Sequence, residues 1–307
     1  MKVLVSFMVD AKIRKMGNDI LGKGNVIWYP SVSPAEILLI RDNNFPYDEN
    51  VKFIQTITAG IDHIDISSLK EGTIVASNAG AYSISVAEHA FALLMERAKK
   101  ICIKRDETLK GIFNPESTQL LYGKTIGIIG YGGIGSRVAE ISKVMGMKVA
   151  AIGRGYRDKN VDIFLSLDKL NDIFKISDFI VISIPLTKLT HELITKDQLS
   201  LMKKNAIIVN VARAEIVKRE DMLNHLNNNP DFSYLTDVWW DEPNLKDTDF
   251  SNLVVTPHIA GGRSGEIMEF AFKQAFQNIK NFMENKEVKN VVKNDENIVI
   301  SRKSLGV

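Results

Sequence analysis

The chain has 307 residues, 45% hydrophobic and 25% charged, a globular balance that suits two domains of ordinary size and argues against pervasive disorder. Lys and Arg number 39 against 37 Asp and Glu, and the net charge of +2 excludes a strongly basic nucleic-acid binder on global grounds. One cysteine, Cys102, excludes an intrachain disulfide and a cysteine-based zinc site, and fits a reducing compartment.

From the N-terminus, Met1 to Asp10 is apolar but too short for a membrane span and lacks a small-residue cleavage site. A cytoplasmic protein without a membrane partner is the expectation. Val3–Phe7, Ile37–Arg41, Val51–Thr56 and Thr73–Asn78 read as short buried strands, β-branched and bounded by polar, Gly or Pro residues. A long helix follows, with Ser85-Val86-Ala87-Glu88 at capping-box spacing and Phe91, Leu94, Ala98 and Ile101 at helical intervals. A second strand series comprises Thr125–Gly130, Lys148–Gly153, Phe179–Ile184, Ala206–Val211, Tyr234–Val238 and Leu253–Thr256. Near-continuous Ile/Val runs suit parallel strands covered on both faces, and the helical stretches between them predict an α/β doubly wound sheet. After Gly265 a last long helix carries Met268, Phe272, Phe276, Ile279 and Met283, and the polar tail after Lys286 has no assignment. The simplest organisation inserts the second series into the first, with residues 1–93 and 275–307 as one domain and 94–274 as the other.

Thr125–Gly130 runs directly into Gly130-Tyr131-Gly132-Gly133-Ile134-Gly135, and helical apolar spacing resumes at Val138, Ile141 and Met145. In this strand–turn–helix setting the glycines have separate tasks. Gly130 permits the tight turn, Gly132 lets a pyrophosphate approach the backbone, and Gly135 lets helix and strand pack closely. Gly133, Ile134 and Gly135 open the helix, whose free N–H groups face the phosphates. The next strand ends in Gly153-Arg154-Gly155-Tyr156-Arg157, where an NAD site usually has Asp or Glu for the ribose hydroxyls. A basic pair in place of the acid favours NADP over NAD; the alternative is a solvated charged loop. The histidines His63, His89, His191 and His225 show no metal-ligand spacing and read as structural or surface residues, so no metal is expected.

Three strand-end segments gather polar groups: Val209-Asn210-Val211-Ala212-Arg213, Thr236-Asp237-Val238-Trp239-Trp240-Asp241-Glu242-Pro243 and Thr256-Pro257-His258-Ile259-Ala260-Gly261-Gly262. With Ala59-Gly60-Ile61-Asp62-His63-Ile64-Asp65, Val86-Ala87-Glu88, the glycine loop and Pro185-Leu186-Thr187 with Thr190, the sequence resembles the D-isomer-specific 2-hydroxyacid dehydrogenases over nearly its whole length. The resemblance implies two Rossmann-like domains and hydride transfer between a nicotinamide cofactor and a small 2-keto or 2-hydroxy acid, glyoxylate or hydroxypyruvate first. Phosphoglycerate dehydrogenase is the near alternative, with Arg41 or Lys52 for the phosphate. A nucleotide-sensing corepressor-like protein is the alternative of another class.

By resemblance, His258 is the acid–base group, Glu242 holds its ring and favours its protonated form, and Arg213 binds the substrate carboxylate as a fork and polarises the carbonyl. Ala59 and Gly60 meet the carboxylate with backbone N–H groups. Pro185, Thr190, Val211, Ala212, His258 and Gly261 line the cofactor, and Asp237 contacts the nicotinamide carboxamide. A homodimer is expected, with the two long apolar helices as the surface left bare. Ala214 stands where Gly commonly follows the catalytic Arg, and Arg263 where Thr is frequent. Glu242 argues against the formate dehydrogenase branch. The end at Val307 predicts no appended regulatory domain.

Overall fold

The structure, a computed structural model, describes residues 1–43, 45, 49–62, 64–65, 69–155, 158–262 and 264–292. His63, Tyr156, Arg157 and Arg263, singled out in the sequence, lie outside the described residues. The chain divides into two compact units, Met1–Tyr82 with Arg263–Val307, and Ser83–Gly262.

In the first unit, β1 (Val3–Val5), α1 (Ala11–Leu21), β2 (Val26–Trp28), β3 (Ile37–Ile40), β4 (Phe53–Thr56) and β5 (Ile74–Ala76) build a parallel sheet of order β2-β1-β3-β4-β5. Successive side chains point to opposite faces, and both faces are covered. Val3, Val5, Ile37, Leu39 and Phe53 enter one core cluster, while Leu4, Leu38, Ile40 and Ile54 enter another. β2 was not anticipated: it is a three-residue edge strand, only half-buried, so its apolar run is too short to stand out.

The second unit contains α2 (Ser83–Lys99), α3 (Ile101–Leu109), β6 (Thr125–Ile129), α4 (Gly133–Val144), β7 (Lys148–Ile152), β8 (Ile163–Leu165), α5 (Leu170–Ile176), β9 (Phe179–Ile182), α6 (Lys196–Leu199), β10 (Ile207–Asn210), α7 (Arg219–Asn228), β11 (Ser233–Thr236) and β12 (Leu253–Val255). Its seven-stranded parallel sheet runs β12-β11-β10-β9-β6-β7-β8. β8, at the edge, is the second strand the pattern did not show.

The final helix, α8 (Gly265–Met283), belongs to the first unit and buries Phe272, Phe276 and Ile279 in its core. Burying side chains of this size contributes roughly 1.5–3 kcal/mol each, so the helix is committed as a whole. The expected boundaries at 93/94 and 274/275 cut through α2 and α8; the observed divisions precede both helices. Each helix lies whole within one unit, a fact that periodicity alone does not carry.

The expected helix through Ile101 also differs. Lys100 adopts φ 54° and separates α2 from α3. The arm after α3 returns to this break: Gln119 N donates to Ala98 O at 2.8 Å, and Lys99 Nζ to Gln119 O at 2.6 Å. Ser85 is not a cap, because its hydroxyl lies inside α2 and donates to Ala260 O at 2.7 Å. The apolar sides of α2 and α8 are largely buried within their own units, so they are not the bare surface expected for a dimer. Exposed apolar residues collect instead on α3 and its arm, with Leu109 71%, Phe113 93% and Tyr122 72% exposed.

The tail after Lys286 attaches antiparallel to β5 through Val292, with Ser77 N donating to Asn290 O and Val292 N to Val75 O. Buried Asn278 on α8 anchors it, donating to Gln55 Oε1 at 2.6 Å and Lys289 O at 3.0 Å and accepting from Lys289 N at 2.8 Å. Replacing Asn278 with Ala removes the partner of Gln55 Oε1 and of the Lys289 backbone N–H and C=O. We expect a loss of about 1–3 kcal/mol in urea unfolding; an unchanged midpoint would show that the anchor contributes nothing.

Candidate active site

The seven-stranded sheet reverses its winding between β6 and β9, and the carboxyl ends of strands at such a reversal are where α/β proteins hold ligands. The glycine loop leaves β6 at this point. Gly130 has φ 107°, and a Cβ there would stand 2.5 Å from Ile184 N. A Cβ on Gly135 would stand 2.2 Å from Gly130 O, so the start of α4 and the end of β6 pack only without one. Gly132 differs: a Cβ there would meet nothing within 4 Å. No protein atom requires that glycine, which is what a pyrophosphate lying on the backbone requires. Gly132 caps α4 without a side-chain bond, and no acid sits in its first turn, so the first N–H groups, at Gly133, Ile134 and Gly135, form a site for an anion. These features fit a dinucleotide.

After β7, Arg154 is exposed, and no acceptor among the described residues holds its guanidinium. The acid of this loop is occupied. Asp158 accepts from the Tyr131 hydroxyl at 2.6 Å and from Asn160 N at 2.8 Å. Burial and the Asp158 carboxylate both push the Tyr131 phenol above its ordinary range, and its ring stands edge-on to Phe164.

Arg213, Glu242 and His258 follow β10, β11 and β12, three neighbouring strands. His258 Nδ1 lies 2.9 Å from Glu242 Oε2. A carboxylate partner assigns the proton to Nδ1 and leaves Nε2 for a substrate. The ring is 46% exposed, enough for a ligand to reach it. Glu242 Oε1 is fixed by Trp239 N at 2.8 Å. Arg213 is half-buried and extended, with Nη1 donating to Ala212 O. Buried Asn210 shapes its turn, donating to Arg213 O and Tyr234 Oη and accepting from Ala212 N.

Asp237 is 1% exposed, and its oxygens are taken up by the loop that bears His258. It accepts from Ile259 N at 2.9 Å, Ala260 N at 2.7 Å and the Thr256 hydroxyl at 2.5 Å, with His89 Nε2 3.5 Å away. The structure therefore gives it the task of holding that loop. Thr190, also expected to line the cofactor, is buried and uses its hydroxyl on Pro185 O and Thr187 N inside its own turn. Exposed Pro185 follows β9, Val211 and Ala212 are almost buried after β10, and Gly261 is half-buried after β12. Trp239 is fully buried, with Nε1 on Lys246 O, so it packs rather than lining an opening. Asn210 and Thr256, noted in the sequence only as members of their polar segments, and His89, read as structural or surface, had no individual partner assigned because single polar residues at strand ends or on helices have no distinctive spacing.

In the first unit, Ala59 and Gly60 follow β4, and their N–H groups have no acceptor among the described residues. Arg41 follows the adjacent β3 and lies over the Phe7 ring at 5.6 Å. Lys52 precedes β4, at the opposite end of the sheet, which removes it from consideration beside Ala59. Among the described residues no cluster of His, Cys, Asp and Glu could hold a metal, and no helix is long and apolar enough to cross a membrane.

Residues 91–260 match the family model described as D-isomer specific 2-hydroxyacid dehydrogenase, NAD binding domain. The chain is 32% identical to a hydroxypyruvate reductase of Thermotoga maritima over 242 residues, 74% of this chain and 78% of that protein. It is 32% identical to a D-3-phosphoglycerate dehydrogenase of Methanocaldococcus jannaschii over 279 residues, which span 85% of this chain but only 52% of that longer protein. Among solved structures, a glycerate dehydrogenase related protein from Thermoplasma acidophilum is 45% identical, with a TM-score of 0.72 over 92% of this chain and 100% of its own. Matched over more than half its length by the family's cofactor-domain model, the chain belongs to the D-isomer-specific 2-hydroxyacid dehydrogenases.

Proposed function

We propose that the protein reduces a small 2-keto acid to the D-2-hydroxy acid and catalyses the reverse oxidation, with glyoxylate or hydroxypyruvate as the leading substrate. The observation that carries this reading is the Glu242–His258 pair, 2.9 Å apart, in the same unit as the glycine loop. A bound nicotinamide cofactor supplies the hydride. Arg213 binds the substrate carboxylate and polarises the carbonyl. His258 Nε2 gives a proton to the carbonyl oxygen in reduction and takes it back in oxidation, while Glu242 keeps the ring oriented. Ala59 and Gly60 offer two backbone donors to a carboxylate. Arg41, at the same sheet end as Ala59, keeps a phosphorylated substrate as the second reading. The exposed, unbridged Cys102 suits a cytoplasmic enzyme.

A panel of 2-keto acids, phosphohydroxypyruvate included, assayed with NADH and NADPH identifies the substrate. Turnover also separates an enzyme from a nucleotide-sensing binding protein. His258→Ala should lower kcat by ~10²–10⁴-fold and leave the cofactor dissociation constant nearly unchanged. Arg213→Ala should raise KM as well as lower kcat. Wild-type turnover in His258→Ala would overturn the mechanism.

We further propose NADP as the preferred cofactor. Asp158 is committed to Tyr131 and Asn160, so it is held from the ribose hydroxyls, and Arg154 offers a planar fork to a 2′-phosphate. Such a contact contributes on the order of 1.5–3 kcal/mol, or about 10–150-fold in affinity. NADPH should bind more tightly than NADH by roughly that factor, and Arg154→Ala should erode the difference by weakening NADPH. Equal dissociation constants would overturn the assignment and leave the dehydrogenase reading in place.

The α3 arm supports a homodimer. Leu109, Phe113, Leu120 and Tyr122 are large apolar residues left exposed on α3 and the arm after it, and a protein contact would cover them. Sedimentation should give twice the 34.3 kDa protomer mass, and Phe113→Asp should shift the species toward the protomer. A protomer for the unaltered protein at micromolar concentration would end this proposal.

A further inference from the structure

The segment that carries Glu242 is tied down by further contacts besides the one to His258. Arg219, the first residue of α7, donates from Nη1 to Asp241 Oδ1 at 3.1 Å, and its Nη2 lies 2.7 Å from Asp241 Oδ2 as an ion pair outside hydrogen-bond geometry. The same Nη2 contacts Asp247 Oδ2 at 2.8 Å, at the far end of the loop. Next to this fork, Trp240 Nε1 donates to Val217 O at 3.0 Å. Trp239 Nε1 donates to Lys246 O, closing the loop on itself. Residues 239–247 thus meet Val217–Arg219 at both ends, and Arg219 is the charge on which they converge.

Two features make the fork a constraint rather than an ordinary surface pair. Arg219 and Asp241 are each only 29% exposed, and Asp241 Oδ2 is shut off from solvent. A guanidinium that forks between Asp241 and Asp247 also holds both ends of the segment at one point, which a single contact does not. The hydrogen bond to Asp241 pushes the Arg219 guanidinium further above its ordinary range. Without Arg219, the shielded Asp241 oxygen has no counter-charge among the described residues. The segment must then turn that oxygen toward water. Asp241 adjoins Glu242 in the chain, so this movement displaces the carboxylate from the His258 ring.

We propose that Arg219 is a positioning residue for catalysis, holding Glu242 against His258 through Asp241. It touches neither substrate nor cofactor. It also ties the Glu242 segment to the turn that begins with Arg213, six residues before it, so one guanidinium relates the position of the carboxylate-binding arginine to that of the acid–base pair. The proposal rests on the catalytic reading of His258 and Glu242 given above.

A double-mutant cycle on the full-length protein tests it. Arg219→Ala, Glu242→Gln and the double variant are assayed for kcat, KM and cofactor dissociation constant, with a thermal melt as control. Couplings between residues of one network typically correspond to roughly 2–150-fold in rate. We expect Arg219→Ala to lower kcat on the order of tenfold with cofactor affinity unchanged, and to have less than about twofold effect once Glu242 is Gln. Arg219→Lys, which keeps the charge but not the fork, should restore part of the loss. A role in stability alone would lower kcat equally in both backgrounds, and that additivity would overturn the proposal. If Arg219→Ala does not fold, Asp241→Asn completes the same cycle, because it removes the charge from the other side of the fork. His258→Ala separates the two readings. If it retains turnover, the catalytic assignment fails. If it is inactive while the cycle is additive, only the role of Arg219 fails.

Discussion

The candidate acid–base group depends on a buried carboxylate. His258 has φ 53°, a left-handed conformation that costs a non-glycine residue about 1–2 kcal/mol. Asp237, after β11, accepts from the N–H groups of the next two residues, Ile259 and Ala260, and from the hydroxyl of Thr256. Hydrogen bonds to a charged group each contribute about 1.5–3 kcal/mol, so three of them exceed the backbone cost. The imidazole is therefore presented by a fixed loop although half of it faces solvent. Glu242 then has only to orient a ring whose backbone is already set.

The rest of the site follows from parallel strands. In a parallel sheet every strand ends on the same edge, so loops distant in sequence share one rim. The glycine loop after β6, Arg213 after β10, Asp237 and Glu242 after β11 and His258 after β12 all lie on that rim of the second unit. In the first unit the same logic puts Ala59 and Arg41 on one edge and Lys52 on the other. Candidate binding groups are thus sorted by strand direction before any side chain is considered.

The fold class and most strands were legible because interior parallel strands are continuous apolar runs, as in Ile207–Asn210 or Phe179–Ile182. β2 and β8 were not, because an edge strand has one neighbour and needs only a few apolar residues. The glycine loop was legible because its spacing records direct contacts: Gly135 against Gly130 O, and Gly130 against Ile184. Thr190 and Asp237 could be placed near a cofactor by resemblance, but their hydrogen bonds run to Pro185 and to the His258 loop, which only the folded backbone shows.

What the sequence determined by itself is what local chemistry encodes, apolar runs of strand length and a glycine spacing that a tight turn demands, while the candidate roles of Arg213, Glu242 and His258 rest on resemblance. The tertiary structure decided what depends on partners far along the chain. It placed the unit boundaries before α2 and α8, since each helix follows the core that buries it. It broke the helix at Lys100, where the arm returns through Gln119. It gave Arg219 its acids, Asp241 and Asp247, 22 and 28 residues onward. No periodicity records such pairings, because a charge finds its counter-charge in space and not in sequence.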